Sequence, residues 1–167
     1  MYLCKKILQM TFEDLGISNQ LQYAIDDLGF VNTTPIQEQA FSVVRSGKDV
    51  VGIAQTGTGK TFAYMIPILQ DLPFSKQQHP RVLVLVPTRE LVLQVVSEIE
   101  KLSKYINTRV LGVYGGANIN TQKQSILQGQ DIIVATPGRL YDLALSNALK
   151  LKSIQKLVID EVDVMLD

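Results

Sequence analysis

The sequence is poor in the residues that build disulfide frameworks and metal centres. Its 167 residues include one cysteine, Cys4, and one histidine, His79. A single cysteine excludes an internal disulfide and favours a reducing compartment. A single histidine excludes a histidine-rich metal site. His79 stands in the polar stretch PFSKQQHP, where a solvated loop position is the simpler interpretation.

An excess of charge of one sign is also missing. Lysine plus arginine and aspartate plus glutamate both number 16, so the formal net charge is zero. Any binding to nucleic acid must therefore depend on a few placed contacts rather than on a broadly basic surface. No apolar run is long enough to span a bilayer, and the first nine residues lack the apolar core of a signal peptide. We expect no membrane partner and a cytoplasmic location.

What the sequence does contain is an alternation of apolar, β-branched runs with segments of helical periodicity. Hydrophobic residues make up 46% and charged residues 19%, as in globular proteins. The runs predict strands at 50–54, 81–86, 108–114, 131–136 and 156–160. The periodic segments predict helices at 19–28, 35–46, 60–71, 88–104, 118–128 and 137–146. Apolar strands alternating with helices predict a three-layer α/β fold with a mainly parallel sheet. We expect one domain over 11–167, after a poorly ordered extension at 1–10.

A glycine-rich loop, AQTGTGKT, follows the first predicted strand and leads into a predicted helix. Its glycines allow backbone N–H groups to approach an anion, and the helix adds its positive N-terminal dipole. Lys60 can reach β- and γ-phosphates, and the hydroxyl of Thr61 can ligate Mg²⁺. The first position departs from the usual P-loop pattern because it is alanine. The predicted nucleotide-binding residues are Ala54, Gln55, Thr56, Gly57, Thr58, Gly59, Lys60 and Thr61.

Two acids stand at the end of the last predicted strand, in KLVIDEVDVMLD. Asp160 would lie at the carboxyl edge of the sheet, where α/β proteins bind ligands, and can hold Mg²⁺ through water. Glu161 can orient or deprotonate an attacking water. An acidic turn or helix cap is the alternative. Beside a phosphate loop, hydrolysis of ATP is the better interpretation, with Lys60, Asp160 and Glu161 as catalytic residues.

The remaining motifs occur in the order found in one family. PTRELVLQ (87–94), YGG (114–116), TPGR (136–139) and GFVNTTPIQ (29–37) accompany the phosphate loop and DEVD. Together they resemble the DEAD-box RNA helicase family from about residue 11 to the end of the chain. The resemblance implies the N-terminal RecA-like domain of an ATP-dependent RNA helicase. Such an enzyme couples ATP binding and hydrolysis to sequence-independent RNA binding and duplex remodelling.

Gln37 has two possible roles. In TTPIQ, Thr34 suits an N-cap, Pro35 the first helical position, and Gln37 the third residue of a capping box. The resemblance implies instead that Gln37 recognises the adenine edge while Phe12 stacks on the base. The same side-chain atoms cannot fill both roles at once. The resemblance favours adenine recognition.

Groups that can contact phosphate follow three further predicted strands. A helix start and close backbone approach suit a sugar-phosphate backbone, although TPGR could equally be only a helix cap. The resemblance implies that single-stranded RNA lies across these motifs. The RNA-contacting residues it implies are Arg89, Gly116, Thr136, Gly138 and Arg139. It also implies that Asp163 couples the nucleotide state to RNA binding.

The resemblance further implies a SAT motif and a second RecA-like domain of the same parent protein, neither of which is among these residues. In the family, the second domain supplies arginines to the γ-phosphate, and loss of an arginine finger typically costs about 10³–10⁵ in rate. We therefore expect this chain alone to bind nucleotide without unwinding duplexes or hydrolysing ATP efficiently. Two alternatives remain open: a P-loop ATPase or translocase acting on DNA, and a non-catalytic nucleotide-binding module. Val92 and Val162 replace alanines that are usual in the family, a difference expected to affect local packing only.

Overall fold

A computed structural model describes residues 9–55 and 57–166. The chain divides into two compact units, one ending at Leu72 and one starting at Pro73. Thr56, Asp167 and most of the expected N-terminal extension lie outside the described residues. The expectation of one domain over 11–167 stays a prediction. In the described ranges, no helix is both long and apolar enough to cross a membrane.

The first unit is helical. Its helices are α1 (Asn19–Asp27), α2 (Pro35–Arg45) and α3 (Lys60–Gln70). Ser18 caps α1 by accepting from the N–H of Leu21 at 3.4 Å, while α2 packs along α3. The core of this unit is made of apolar side chains that are at most 6% exposed: Phe12, Leu21, Ile25, Phe41, Met65, Ile66 and Leu69.

The strand predicted at 50–54 is wrong. Residues 50–55 form neither helix nor strand, and the side chains of Val51 and Ile53 are 91% and 95% exposed. A strand is defined by its hydrogen-bonded neighbour, and no ladder that the structure describes includes this segment. The apolar, β-branched composition indicated the capacity to form a strand, but composition supplies no partner.

The second unit contains a parallel four-stranded sheet in the order β2-β3-β1-β4. Its elements follow in chain order: β1 (Val82–Leu85), α4 (Arg89–Leu102), β2 (Val110–Val113), α5 (Ile119–Leu127), β3 (Ile132–Ala135), α6 (Pro137–Leu145), β4 (Lys156–Ile159) and α7 (Val162–Leu166). The predicted helices and the last four predicted strands are confirmed, with ends that differ by no more than two residues. Short 3₁₀ turns occupy Glu13–Leu15 in the first unit and Leu151–Ser153 in the second.

Helices cover both faces of this sheet. One face packs against α5 and α6, through a cluster that includes Leu83, Ile133, Ile126 and Leu143. The other face receives α4, whose buried residues recur at helical spacing: Val92, Val95, Ile99 and Leu102. The three-layer arrangement predicted from the alternation is therefore present within the second unit.

A charged cluster supports the amino-terminal end of the sheet. The Asp131 carboxylate, 4% exposed, accepts from Arg81 at 3.1 Å and from Arg109 at 2.9 Å. Arg109 also donates to the carbonyl oxygens of Ser75 and Gln77, at 3.3 and 2.8 Å. Asp131 therefore joins the starts of three segments, at the end of the strands opposite to Asp160 and Glu161.

Candidate functional site

The phosphate loop in the first unit has the backbone that its glycines predict. Gly57 and Gly59 have φ angles of +79° and +80°, in the left-handed region that favours glycine. The Thr58 hydroxyl donates to the carbonyl oxygen of Gln55 at 2.7 Å. Helix α3 then begins at Lys60, so its free N–H groups follow the loop directly. Thr61 is the second residue of the helix, and both Lys60 and Thr61 are half-buried.

Gln37 lies at the start of α2 and links it to the phosphate loop. Its Oε1 accepts from the backbone N–H of Thr34 at 3.0 Å, which is one bond of a capping box. Its Nε2 donates to the carbonyl oxygen of Gly59 at 3.2 Å. The side chain is only 6% exposed. Both ends of the amide are therefore engaged within the first unit, and adenine recognition, which stays a prediction, requires at least one of these bonds to open.

Phe12 lies in a less open position than the resemblance implies. Its side chain is 2% exposed, and its backbone N–H donates to the carbonyl oxygen of Val31 at 3.1 Å. Stacking on a base would require the ring to become uncovered. Phe30, within the motif of Gln37, is 48% exposed and meets the ring of Phe62 edge-on, with centroids 5.6 Å apart.

In the second unit, the parallel strands bring their carboxyl ends to one edge of the sheet. Each strand is followed by one of the sequence motifs. Arg89 follows β1, Gly115 and Gly116 follow β2, Thr136 follows β3, and Asp160 follows β4. The structure therefore brings all of the motifs predicted after these four strands to a common edge.

Arg89 and the glycine motif are in contact. The guanidinium of Arg89 stands 4.9 Å from the centroid of the Tyr114 ring, within the range of a cation–π interaction. Gly116 has a φ of +81°, and a Cβ added at Gly115 or Gly116 would meet no atom within 4 Å. The backbone of both glycines therefore faces open space beside a positive charge.

The start of α6 is tied to the same place. The N–H of Thr136 donates to the carbonyl oxygen of Val113, the last residue of β2, at 3.1 Å. Pro137 is the first helical residue, as predicted. A Cβ added at Gly138 would also meet nothing within 4 Å. The helix therefore presents an uncovered first turn at the sheet edge.

Arg139 differs from expectation, because its charge is turned inward. Its side chain is 9% exposed. Nη1 donates to Gln122 Oε1 at 2.7 Å, and Nη1 and Nη2 both donate to the carbonyl oxygen of Ala117 at 3.1 Å. An RNA contact through this guanidinium stays a prediction, whereas its bonds to the loop after β2 are present in the structure.

Asp160 is held firmly at the end of β4. Its N–H donates to the carbonyl oxygen of Leu85 at 2.9 Å, and its Oδ1 accepts from the N–H of Glu161 at 3.0 Å. Glu161 has a φ of +51°, an uncommon conformation for a residue with a side chain, and it begins the turn into α7. Asp163 lies exposed in the first turn of that helix.

The surroundings of Asp160 fit a hydrated magnesium ion. Mg²⁺ keeps several waters and takes oxygens from one or two carboxylates and from substrate phosphates. The partly exposed carboxylate of Asp160, at the carboxyl edge of the sheet, has the chemistry of such an oxygen ligand. A site of this kind needs no cage of protein ligands. In the described residues, no group of three or more histidine, cysteine or acidic side chains is placed to hold a metal.

Sequence reasoning missed Gln122 and Tyr114. Gln122 is 7% exposed on α5, and its Nε2 donates to the carbonyl oxygen of Tyr114 at 3.3 Å. One signal was present, because Gln122 interrupts an apolar stripe formed by Ile119 and Ile126 at helical spacing. A polar residue on the inner face of a helix needs a buried partner.

Comparison with known proteins gives a consistent result. A family model described as DEAD/DEAH box helicase matches residues 34–167. An ATP-dependent RNA helicase CshA from Limosilactobacillus reuteri is 44% identical over 95% of this chain and 32% of its own length. An ATP-dependent RNA helicase DeaD from Haemophilus influenzae is 40% identical over 95% of this chain and 26% of its own length. The chain therefore spans about a third or less of these relatives.

A solved structure has the same fold. The crystal structure of a hypothetical ATP-dependent RNA helicase from Sulfolobus tokodaii superimposes with a TM-score of 0.81 at 40% sequence identity. The match covers 90% of this chain and 43% of that one. The RecA-like α/β fold class predicted from the sequence is confirmed.

Proposed function

The chain belongs to the DEAD/DEAH box helicase family, and from that premise we propose that it is the ATP-binding part of an ATP-dependent RNA helicase. The observation that carries the proposal is the family match over 34–167, which contains both the phosphate loop and DEVD. The names of the relatives support ATP as the nucleotide and RNA as the substrate. The proposed compartment is the cytoplasm.

For the nucleotide, we propose that the phosphate loop binds the phosphates through backbone N–H groups and Lys60. The positive φ of Gly57 and Gly59 and the start of α3 at Lys60 support this role. Gln37 would select adenine and Phe12 would stack on it once its ring is uncovered. Thr61 would ligate Mg²⁺, and Asp160 would hold the ion through water. Bound Mg²⁺ would neutralise charge on the phosphates.

For the chemistry, Glu161 is the proposed group that orients the attacking water. Its backbone is held by the turn at φ +51° and by the carboxylate of Asp160, which fixes the point from which its side chain extends. Asp163, two residues further along the chain, is the proposed coupling residue. The second RecA-like domain of the parent protein is the proposed partner that completes the ATPase.

For RNA, we propose that the sheet edge binds a sugar-phosphate backbone without reading bases. The open backbone of Gly116 and Gly138 supplies N–H groups, Thr136 supplies its side-chain hydroxyl, and Arg89 supplies charge. Arg139 would contribute mainly by holding the loop that carries Gly116. Contacts of this kind to single strands tolerate any sequence.

Nucleotide binding is the first test. Titration of the chain with a fluorescent ATP analogue should show binding that Lys60→Ala abolishes and that Lys101→Ala, an exposed lysine on α4, leaves unchanged. The chain alone should hydrolyse ATP poorly and should not unwind a duplex. Absence of binding by the unsubstituted chain would contradict the nucleotide assignment. A brisk RNA-stimulated ATPase that depends on Lys60 would contradict the need for a second domain.

The second test compares RNA with DNA of the same sequence. Binding that depends on the 2′-hydroxyl should favour RNA. Equal or tighter binding to DNA would favour a translocase that acts on DNA. Nucleotide binding without measurable binding to either nucleic acid would favour a non-catalytic nucleotide-binding module.

A further inference from the structure

A small network of buried polar groups lies behind the sheet edge, around the loop between β2 and α5. We call Tyr114–Asn118 the glycine loop. Gln122 donates to the carbonyl oxygen at its start, Tyr114, at 3.3 Å. Arg139 donates to the carbonyl oxygen of Ala117, near its end, at 3.1 Å. The two open glycines lie between these two anchored positions.

The two anchors are joined to each other through Gln122. Its Oε1 accepts from Arg139 Nη1 at 2.7 Å, the shortest bond of the network. Gln122 is 7% and Arg139 9% exposed, so little water competes for these bonds. A buried donor or acceptor that loses its partner costs more free energy than an exposed one. Loss of either the amide N–H group or the amide oxygen of Gln122 should therefore disturb the arrangement.

Only a side chain with both a donor and an acceptor satisfies this position. The carbonyl oxygen of Tyr114 needs a donor, and the guanidinium of Arg139 needs an acceptor. Glutamate at 122 would keep the acceptor and lose the donor, and leucine would lose both while filling a similar volume. The glutamine amide therefore fits both requirements.

The network also reaches the exposed cation at this edge. Tyr114, whose carbonyl oxygen is held by Gln122, carries the guanidinium of Arg89 over its ring at 4.9 Å. Gln122 thus touches one candidate RNA residue directly, Arg139, and reaches Arg89 and the Gly115–Gly116 backbone through Tyr114. No other side chain described in the structure has hydrogen bonds to both Tyr114 and Arg139.

We propose that Gln122 is a positioning residue for RNA binding: it holds the glycine loop and Arg139 in one arrangement, so that an RNA phosphate meets preformed backbone donors. This inference rests on the RNA-binding role proposed above. Gln122 itself lies behind the loop and does not meet the ligand. Preorganisation raises affinity because the loop need not be ordered on binding.

The test measures the affinity of the chain for a fluorescein-labelled single-stranded oligouridylate, with a non-hydrolysable ATP analogue present, at several salt concentrations. Gln122→Leu should weaken binding about tenfold, as expected for the loss of two hydrogen bonds that hold the bound geometry. The slope of log affinity against log salt should stay the same, since no phosphate contact is removed. The RNA affinity of Gln122→Glu should lie between those of Gln122→Leu and the unsubstituted chain, once the repulsion from its added charge has been corrected for.

Gln124 offers matched controls because it lies exposed on the same helix. Gln124→Leu should not change affinity, and Gln124→Glu adds the same charge as Gln122→Glu and corrects for its repulsion of RNA. Amide hydrogen exchange at Gly115 and Gly116 should become faster in Gln122→Leu and stay unchanged in Gln124→Leu. Binding of the ATP analogue to the first unit should be the same in all four variants.

The outcomes separate the two levels of the proposal. If the chain binds RNA and Gln122→Leu binds as tightly as Gln124→Leu, the positioning role is wrong and the RNA-binding role stands. If the unsubstituted chain binds ATP analogue but no RNA, the RNA-binding role fails, and the inference fails with it. A smaller salt slope in Gln122→Leu would overturn positioning in favour of a lost phosphate contact. If Gln122→Leu does not fold, Gln122→Glu compared with Gln124→Glu decides the same question.

Discussion

The side-chain amide of Gln37 donates to the backbone carbonyl of Gly59, 22 residues away, at 3.2 Å. This bond links the start of α2 to the residue that precedes α3, within one unit. A Cβ added at Gly59 would clash with Gln37 Nε2. The phosphate loop and the motif of Gln37 are therefore packed closely together. Position 59 favours glycine both because its φ is positive and because a side chain there would meet Gln37.

Gly59→Ala tests the steric part of this relationship. The substitution should destabilise the first unit and should greatly weaken ATP binding, because it combines a φ of +80° with displacement of the Gln37 amide. Gly47→Ala is the control, since Gly47 has a φ of +75° and open space around its Cβ position. Gly47→Ala should lower the free energy of unfolding only by the cost of a left-handed backbone conformation, about 1–2 kcal/mol. Thermal melts and nucleotide titration measure the difference, and equal losses in the two variants would contradict the steric account.

Gln37→Glu separates helix capping from nucleotide recognition. Glutamate still accepts from the N–H of Thr34, as in other capping boxes, but it cannot donate to Gly59 or to adenine. We expect near-normal helix stability and a marked loss of preference for ATP over GTP, measured by competition titration. Gln39→Glu, an exposed site on α2, controls for added charge. Unchanged nucleotide preference would mean that Gln37 serves helix capping and the bond to Gly59 alone.

Asp131→Asn should destabilise the second unit by about 3–5 kcal/mol, because it leaves the buried charge of Arg81 without its carboxylate. Asp71→Asn removes the half-exposed ion pair with Arg45 and should cost no more than about 1 kcal/mol. Urea denaturation of both variants measures the two costs. Similar losses would show that burial of the cluster does not matter.

The same carboxylate predicts an acid-sensitive stability. Burial alone raises the pKa of Asp131, but hydrogen bonds from Arg109 and Arg81 outweigh it and hold that pKa below its ordinary value. The stabilisation is therefore present above the unfolded pKa, about 4, and is lost as the pH falls through the lower folded-state pKa. Denaturation series from neutral to acid pH should show this loss. Asp131→Asn should show a smaller dependence over the same range.

Gly112 and Val92 form a complementary pair between β2 and α4. A Cβ added at Gly112 would lie 2.8 Å from Val92 Cγ1 and 3.1 Å from Val96 Cγ2. Gly112→Ala should cost about 1–3 kcal/mol through overpacking. The double variant with Val92→Ala should be less destabilised than the sum of the single variants, as measured by a thermodynamic cycle. Strict additivity would contradict the proposed contact. Val92, which replaces the alanine expected from the resemblance, is thus accommodated because Gly112 opposite it has no side chain.

Local sequence signals predicted most elements because their causes are local. Helix α4 combines an N-cap at Thr88, Glu90 in its first turn and an apolar stripe that is buried in the structure. The strand expected at 50–54 was wrong because its apolar residues have no described ladder partner, and pairing is a property of two segments. The burial of Phe12 was missed for a similar reason, since no motif specifies what covers a ring.

The sequence by itself determined the chemistry available to this protein: a phosphate loop, an acid pair after a strand, and the family to which the chain belongs. Those properties reside in residue types at short spacings. Only the tertiary structure decided how the side chains are used. In the folded chain, both ends of the Gln37 amide bond backbone groups, and the charge of Arg139 points inward. Gln122, which belongs to no sequence motif, lies between Tyr114 and Arg139 and bonds both. Hydrogen bonds between residues distant in sequence depend on the packing of whole elements, which short motifs do not encode.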